Sequence, residues 1–284
     1  MALPFIRSAL FIPANNPGMV QTAHLLGSDA IIFDLEDAIS LNQKDSAREL
    51  LKAGFEFFQK DEVIRIVRIN PMDSPYFNDD IAMVKSFNID YIMLAKASIS
   101  SVKALAEALS DTNIKIIALI ESANGVLNLK DILSASPLVE GMLFGAEDFA
   151  LDMQIERTKQ SDEILMARQQ IALTCKALNK FCFDTPFTDT EDFEMLNVDI
   201  KKAKAFGFTG KACINPRQVK YVNAVFTPTI KEIEYAQEVI FAAKKAQEEG
   251  LGVFSLNGKM VDAPIINRSQ LVLENALKAG VINE

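Results

Sequence analysis

The chain contains 284 residues, which is the length of one large domain or of a single (β/α)8 barrel with a short addition. Its 38 Asp and Glu outnumber its 29 Lys and Arg, and the net charge of −9 argues against an extended nucleic-acid or anionic-membrane surface. Hydrophobic residues make up 49% and charged residues 24% of the sequence, as in ordinary globular domains. We therefore expect a folded protein with no nucleic-acid and no membrane partner.

The distribution of apolar residues and cysteines indicates the compartment. No apolar run approaches the roughly 18 residues of a membrane-spanning helix, and the first seven residues lack the pattern of a signal peptide. The cysteines, Cys175, Cys182 and Cys213, form no Cys-x-x-Cys pair, which argues against a disulfide framework or a zinc site. We expect a cytoplasmic protein whose cysteines are buried apolar residues.

Short apolar runs with strand character recur along the chain. They are Ser8–Pro13, Ala30–Leu35, Val63–Ile69, Tyr91–Leu94, Lys115–Ile120, Gly141–Phe144, Phe181–Phe183 and Gly210–Ile214. Helical patterns separate them, notably over Ser46–Gln59, Ser101–Leu109 and Glu163–Leu178. Strands that alternate with helices in this way predict a closed parallel (β/α)8 TIM barrel, with an open doubly wound sheet as the alternative.

The carboxy-terminal part of the sequence departs from this alternation. A helical pattern runs from about Ile230 to Glu249, a Gly-rich segment from Gly250 to Pro264 breaks it, and a last helical stretch covers Arg268 to Lys278. We expect a barrel domain of residues 1–249 and a C-terminal loop-helix extension of residues 250–284. Because helices that leave a barrel commonly pack on a neighbour, we also expect a homo-oligomer.

Charged residues close several of the predicted strands. They are Asp34, Glu36 and Asp37 after the second strand, Arg68 in the third, Lys96 after the fourth, Glu121 after the fifth, and Glu147 and Asp148 after the sixth. In a barrel the reactive residues lie at the carboxyl ends of the strands. Period-two alternation puts Asp34 and Glu36 on one face of their strand, and Arg68 on the face of Ile64 and Ile66.

These residue types suit the handling of an anionic substrate with a metal ion. Glu121 and Asp148 are the hard oxygen ligands that Mg²⁺ uses, with water and substrate completing its coordination. Arg68 suits a substrate carboxylate or an enolate, and an ion pair with Glu36 or Asp37 is the structural alternative. Salt bridges at the barrel rim are the alternative for the whole set, since an ion that closes an apolar strand needs a partner.

Several common mechanisms lack their residues. His24 is the single histidine and lies in the predicted helix Met19–Leu26, which disfavours a histidine base. Neither a Gly-x-Gly-x-x-Gly motif nor a phosphate-binding P-loop motif occurs.

A series of short segments resembles the citrate lyase β subunits of the HpcH/HpaI aldolase and citrate lyase family. In chain order they are Arg7-Ser-Ala-Leu-Phe-Ile-Pro13, Phe33-Asp-Leu-Glu-Asp37, Lys44-Asp-Ser-Ala-Arg48, Val67-Arg-Ile-Asn70, Ile120-Glu-Ser122, Gly145-Ala-Glu-Asp148, Ile214-Asn-Pro-Arg-Gln218 and Ser255-Leu-Asn-Gly-Lys-Met-Val-Asp-Ala-Pro264. They cover nearly the whole chain. The strand end that usually reads Leu-Pro-Lys is Leu94-Ala-Lys96 here.

The resemblance implies a Mg²⁺-dependent lyase. It would cleave a citryl thioester, carried by an acyl carrier protein or by coenzyme A, into an acetyl thioester and oxaloacetate. Other citrate lyase subunits are implied as partners, and the homo-oligomer would be a trimer or hexamer. The implied site residues are Glu121 and Asp148 for Mg²⁺, Arg68, Gly145, Ala146 and Glu147 for the substrate, and Arg68, Glu36, Asp37 and Asp262 for catalysis, with Asp262 reaching a neighbouring subunit.

Three alternatives stay open at this point. The same residues would serve a stand-alone lyase or synthase for citramalyl-CoA or malyl-CoA. Lys96 at a strand end would serve a Schiff-base aldolase, provided that a desolvated site lowers its pKa. A barrel that acts only as a scaffold in a lyase assembly is the third.

Overall fold

A computed structural model describes residues 4–57, 63–87, 89–248, 250 and 252–283 of the chain. It consists of two compact units, Met1–Ala224 and Val225–Glu284. The predicted domain boundary after residue 249 differs from this division, and the helix that precedes it falls within the second unit.

Eight parallel strands close into a barrel in the first unit, each paired with its sequence neighbour and the last with the first. They are β1 (Ser8–Pro13), β2 (Ala30–Asp34), β3 (Ile64–Ile69), β4 (Tyr91–Leu94), β5 (Lys115–Ile120), β6 (Val139–Phe144), β7 (Phe181–Asp184) and β8 (Gly210–Cys213). The predicted TIM barrel is confirmed.

Helices follow the strands. They are α1 (Pro17–Thr22), α2 (Lys44–Phe57), α3 (Phe77–Lys85), α4 (Ile99–Ala108), α5 (Ala123–Leu127), α6 (Leu129–Ser134), α7 (Ala146–Asp152), α8 (Leu165–Ala177), α9 (Phe193–Phe206) and α10 (Pro216–Phe226). The predicted helix Met19–Leu26 is in fact α1 followed by a 3-10 turn, Ala23–Leu26. The last two residues of the predicted helix Ser46–Gln59 lie outside the described residues.

Apolar side chains fill the barrel below its carboxyl end. The core includes Ile32, Ile66 and Leu119 from three strands, all buried. The ring of Phe181 occupies the space that Gly141 leaves, because a Cβ there would lie 2.3 Å from the ring. Because every second residue of a strand faces the barrel interior, the polar residues at the strand ends continue the face that these apolar residues form.

The second unit holds α11 (Ile230–Glu248), a two-stranded antiparallel sheet of β9 (Phe254–Leu256) and β10 (Lys259–Val261), and α12 (Ala263–Lys278). The loop predicted between Gly250 and Pro264 is therefore largely a hairpin. Asn257 and Gly258 form its turn, and both have positive φ (51° and 75°), as two-residue hairpin turns require. Helix α12 begins five residues before the predicted start because Asp262 caps it, accepting a hydrogen bond from the Ile265 N–H at 3.3 Å.

Within the described residues, no helix combines the length and the apolar character that a bilayer crossing requires.

Candidate active site

A chamber of about 480 Å³ lies at the carboxyl end of the barrel. Seven of the nine predicted site residues line it: Asp37, Arg68, Glu121, Gly145, Ala146, Glu147 and Asp148. Glu36 is not part of its wall, and Asp262 belongs to the second unit. The chamber thus collects residues from the ends of β2, β3, β5 and β6, as the strand-end argument predicted.

Asp34 is the principal partner of Arg68. The Arg68 Nε donates to Asp34 Oδ1 at 2.7 Å and Nη2 donates to Oδ2 at 2.6 Å, a bidentate pair. The two oxygens also accept from the backbone N–H groups of Glu36 (2.8 Å) and Ala38 (3.1 Å). With four hydrogen bonds its carboxylate is fully used, so Asp34 orients Arg68 rather than exchanging protons.

Two further carboxylates lie on the remaining side of the guanidinium. Glu36 Oε2 lies 2.8 Å from Arg68 Nη1 and Asp37 Oδ2 lies 3.4 Å from it, while the guanidinium stacks over the Phe11 ring at 5.2 Å. Burial lowers the pKa of Arg68, but its hydrogen bonds to Asp34 and the surrounding negative charges outweigh burial and raise it overall. Arg68 therefore stays cationic at every pH at which the protein is folded.

Glu36 is nearly inaccessible, with 5% of its surface exposed. Burial raises its pKa, Arg68 opposes the rise, and Asp37 and Asp34 add to it, with a net pKa of about 7. Its Oε2 makes an ion pair with Arg68 but accepts no hydrogen bond within the described residues. Glu36 thus supports Arg68 from outside the chamber.

Lys44 fixes the segment that carries these carboxylates. Its buried ammonium donates to the carbonyl oxygens of Leu35 (2.8 Å) and Glu36 (2.7 Å) and to Asn70 Oδ1 (2.8 Å). Asn70 in turn donates to Asp80 Oδ2 at 2.7 Å. All three ammonium hydrogens are used, so Lys44 orders the end of β2 relative to the end of β3.

Glu121 extends from the end of β5 into the chamber and is 7% exposed. Its Oε1 accepts the Lys96 N–H at 2.7 Å, and Lys96 adopts a left-handed backbone conformation (φ 49°) at this position. Burial raises the pKa of Glu121; the Lys96 N–H and Arg68 oppose the rise, Glu36 and Asp148 add to it, and the net pKa is about 8. The pKa of Glu121 is therefore high because this carboxyl group is buried and lies near other carboxyl groups.

Asp148 lies in the first turn of α7, beside Glu121 in the chamber wall. Gly145, immediately before this helix, allows the close approach, because a Cβ there would lie 2.8 Å from Glu121 Cβ. The Ala146 N–H donates to Thr185 Oγ1 at 3.2 Å, and Glu147 pairs with Arg157 at 3.1 Å. These two predicted substrate-binding residues therefore line the chamber with protein partners of their own.

The balance of charge in the chamber suits a divalent cation. Three carboxyl groups, those of Asp34, Glu36 and Asp37, pair with the Arg68 guanidinium in or behind the chamber wall, and those of Glu121 and Asp148 line the chamber. Asp34 is saturated, whereas Glu121 and Asp148 face the chamber with hard oxygen atoms. No group of three or more such ligands converges in the described part of the chain, and Mg²⁺ commonly takes one or two carboxylates and completes its shell with water and substrate.

Two residues from the alternative mechanisms are not part of the chamber wall. Lys96 has an exposed side chain and lines an adjoining cavity of about 1010 Å³, which shares Glu121 and Asp148 with the Arg68 chamber. His24 lines a small cavity together with Val20 and Phe55. The chamber itself therefore holds neither the lysine nor the histidine.

Three residues of this arrangement were not singled out from the sequence: Asp34 as the Arg68 partner, Lys44 and Thr185. For Asp34 a signal existed, since it shares a strand face with Glu36. For Lys44 the only signal was its presence in a family-like segment, and Thr185 lies beyond the predicted end of β7.

The chain is similar to known proteins over most of its length. The model of a family described as HpcH/HpaI aldolase/citrate lyase matches residues 7–216. A citrate lyase subunit beta of Leuconostoc mesenteroides subsp. cremoris is 41% identical over 281 residues, covering 95% of this chain and 93% of that protein. A (3S)-malyl-CoA thioesterase of Cereibacter sphaeroides is 34% identical over 262 residues, covering 92% and 90%.

A solved structure is similar over nearly the full length. CitE from Mycobacterium tuberculosis, in complex with magnesium, acetoacetate and coenzyme A, aligns with a TM-score of 0.81 and 28% identity, covering 96% of this chain and 98% of that chain. The similarity includes both the barrel and the C-terminal segment of the sequence.

Proposed function

The chain belongs to the HpcH/HpaI aldolase/citrate lyase family, and from that premise we propose that it is a Mg²⁺-dependent carbon–carbon lyase. Its substrate is a citryl thioester on an acyl carrier protein or on coenzyme A, and its products are an acetyl thioester and oxaloacetate. The observation that carries the proposal is the chamber that joins the oriented Arg68 guanidinium to the carboxylate pair Glu121 and Asp148.

In the proposed reaction the tertiary hydroxyl of the citryl group loses its proton. The bond between the hydroxyl-bearing carbon and the methylene carbon of the thioester breaks, and its electron pair passes to the thioester as an enolate. Oxaloacetate leaves as a ketone, and the enolate takes up a proton to become the acetyl thioester. The site must therefore hold negative charge on oxygen and exchange two protons.

Glu121 and Asp148 are the residues that we assign to Mg²⁺. When bound there, Mg²⁺ supplies the Lewis acidity that lowers the pKa of an α-hydroxyl group and polarises a ketone. Arg68 holds the substrate's oxygen atoms, and its bidentate pair with Asp34 fixes the direction of the N–H groups that remain for the substrate. A preorganised cation of this kind contributes most where charge develops during the reaction.

We assign proton exchange to Asp262 of a neighbouring copy. In one chain Asp262 caps α12 through the Ile265 N–H and belongs to the C-terminal unit. Asp34 is excluded from this task by its four hydrogen bonds, and Glu36 lies outside the chamber wall. The family resemblance of the Lys259–Asp262 segment supports a role in a neighbouring site.

The central experiment is a coupled assay. Purified protein with Mg²⁺ and citryl-CoA, or citryl carrier protein, should release oxaloacetate, which malate dehydrogenase reports by oxidation of NADH. Glu121→Ala and Asp148→Ala should each lose this turnover, whereas Asp111→Ala, at an exposed ion pair with Lys85, should keep it. A protein that yields no Mg²⁺-dependent oxaloacetate from either thioester rules the proposal out.

The role of Asp262 is tested by mixing subunits. Arg68→Ala and Asp262→Asn should each be inactive alone, yet co-expression should restore about a quarter of the sites, because an intact Arg68 then meets an intact Asp262 from another copy. Co-expression of Arg68→Ala with Glu121→Ala is the matched control, since both residues line the chamber of one chain. Restored activity in the control, or none in the test pair, contradicts sharing between copies.

A lyase for citramalyl or malyl thioesters is the second candidate. It is favoured by the similarity to the Cereibacter sphaeroides (3S)-malyl-CoA thioesterase. Offering acetyl-CoA with oxaloacetate, pyruvate or glyoxylate and measuring the reverse condensation separates the two, since preference for pyruvate or glyoxylate supports the second. Further citrate lyase subunits, a trimeric or hexameric assembly and a cytoplasmic location remain parts of the proposal.

A further inference from the structure

Thr185, the residue that follows β7, caps helix α7. Its buried hydroxyl accepts the N–H of Ala146, the first residue of the helix, at 3.2 Å. A helix is more commonly capped by the side chain of the residue that precedes it, which accepts the N–H of the second or third helical residue. Here that residue is Gly145, which makes no side-chain cap.

Glu121 explains why the cap comes from elsewhere. Any side chain at Gly145 would begin with a Cβ that lies 2.8 Å from Glu121 Cβ and 3.1 Å from its Oε2. Ser, Thr, Asp or Asn cannot occupy this position without displacing the carboxylate. Close packing of β6 against Glu121 and a cap from residue 145 are therefore incompatible.

Thr185 is itself held in place. The Lys211 ammonium donates to the Thr185 carbonyl oxygen at 2.5 Å and also contacts Asp184 and Asp199 at 2.5 and 2.7 Å. Lys211, Asp184 and Thr185 are at most 1% exposed. The residue that caps α7 is thus anchored to a buried ion network behind the barrel wall.

The capped turn carries Asp148, two residues after Ala146. We infer that Thr185 is a positioning residue for Asp148, and that its hydroxyl sets the metal affinity of the Glu121 and Asp148 pair. This inference rests on the proposed assignment of these two carboxylates to Mg²⁺. Groups that orient metal ligands commonly change metal affinity by about 10-fold or more when removed.

The test is metal binding without thioester, read by Mn²⁺ electron paramagnetic resonance and by competition with Mg²⁺. Thr185→Val keeps the shape of the side chain but removes the acceptor, and it should raise the Kd for Mn²⁺ about 10-fold. Thr185→Ser keeps the hydroxyl and should bind close to wild type. Thr185→Ala serves as the second hydroxyl-free variant if valine does not fold.

Thr209 supplies the matched control. Its hydroxyl accepts the Cys182 N–H at 3.0 Å and donates to the Cys182 carbonyl at 2.9 Å, near the opposite end of β7. Thr209→Val should lower the thermal midpoint while leaving the Kd for Mn²⁺ unchanged. An equal rise in Kd for Thr209→Val would show that lost stability, not position, weakens the metal, and would overturn the inference.

Comparison with Asp148→Ala separates this inference from the proposed function. If Asp148→Ala abolishes Mn²⁺ binding and the folded hydroxyl-free Thr185 variants bind as tightly as wild type, the inference about Thr185 is wrong and the metal site stands. If wild type and Asp148→Ala bind Mn²⁺ equally, the proposed metal site is wrong, and the inference falls with it.

Discussion

Two clusters of charged residues in the barrel unit use the same chemical groups in different proportions. In the first, Arg168 and Lys211 face Asp184 and Asp199, and each carboxylate is paired with both cations. These side chains are 0 to 4% exposed. Two positive charges thus meet two negative charges, and the network is neutral.

The second cluster has a surplus of negative charge. There Arg68 and Lys44 are the buried cations, and five carboxyl groups lie around them: Asp34, Glu36 and Glu121 are buried, whereas Asp37 and Asp148 are exposed. The contrast appears in the pKa values. Burial acts to raise the pKa of both Asp199 and Glu121, but Lys211 and Arg168 hold that of Asp199 at about 2, whereas that of Glu121 reaches about 8.

The neutral network therefore has a structural role, whereas the cluster with surplus negative charge has a functional one. A balanced buried network is complete by itself and fixes the barrel wall, although it need not add net stability. A buried surplus of carboxylates is unfavourable unless protons or a cation neutralise it. The surplus therefore identifies the part of the barrel that is suited to binding a cation.

The largest expected effect comes from unbalancing the neutral network. Lys211→Met removes one of the two cations and should lower the free energy of unfolding by about 3–5 kcal/mol, because it leaves a buried carboxylate uncompensated. Urea denaturation of metal-free protein measures this. Lys202→Met is the control, since Lys202 pairs with the exposed Asp162 and should cost less than about 1 kcal/mol. Equal small losses for both would contradict the contrast.

Neutralising Glu121, in the surplus cluster, should instead raise the free energy of unfolding. An acid with a folded pKa of about 8 and an unfolded pKa of about 4.3 binds more protons when folded, so stability falls as pH rises through this range. Glu121→Gln removes that loss and should stabilise metal-free protein at pH 8 by at least about 1 kcal/mol. Thermal melts between pH 5 and 8 should show a flatter slope than in wild type.

Asp199→Asn is the control for this second experiment. Its folded pKa of about 2 is depressed, so the stability from its charge is present above the unfolded pKa of about 3.9 and is lost as pH falls toward 2. At pH 8 the substitution should therefore destabilise. If Glu121→Gln and Asp199→Asn shift stability in the same direction, the two clusters do not differ in the way described.

The strand ends were readable from the sequence because barrel strands are short apolar runs and their interior face repeats every two residues. That rule brought Arg68 and Glu121 to one chamber from segments more than 50 residues apart. It did not identify Asp34 as the principal partner of Arg68, for which Glu36 and Asp37 were the predicted alternatives. The choice depends on the backbone turn after β2, in which Asp34 accepts the N–H groups of Glu36 and Ala38.

Other features were beyond the sequence for separate reasons. The neutral ion network joins two strands to two helices through Arg168, Asp184, Asp199 and Lys211. No local sequence pattern predicts such pairings. The capping role of Thr185 depends on the contact between Gly145 and Glu121. The Asn257-Gly258 turn, in contrast, carried a clear hairpin signal between short apolar stretches, and the predicted loop overlooked it.

The smallest expected change in the free energy of unfolding concerns one exposed carboxyl group of the surplus cluster. The Asp37 side chain is 66% exposed, and its oxygen lies 3.4 Å from Arg68 Nη1, so Asp37→Asn should change the free energy of unfolding by less than about 1 kcal/mol. Asp34→Asn is the matched variant, and there the loss of a buried bidentate pair should lower both stability and turnover. Denaturation and the oxaloacetate assay measure the two quantities separately. A large fall in kcat for Asp37→Asn at unchanged stability would instead assign proton exchange to Asp37. Its carboxyl group, which lines the chamber, would then act on the substrate and not only on Arg68.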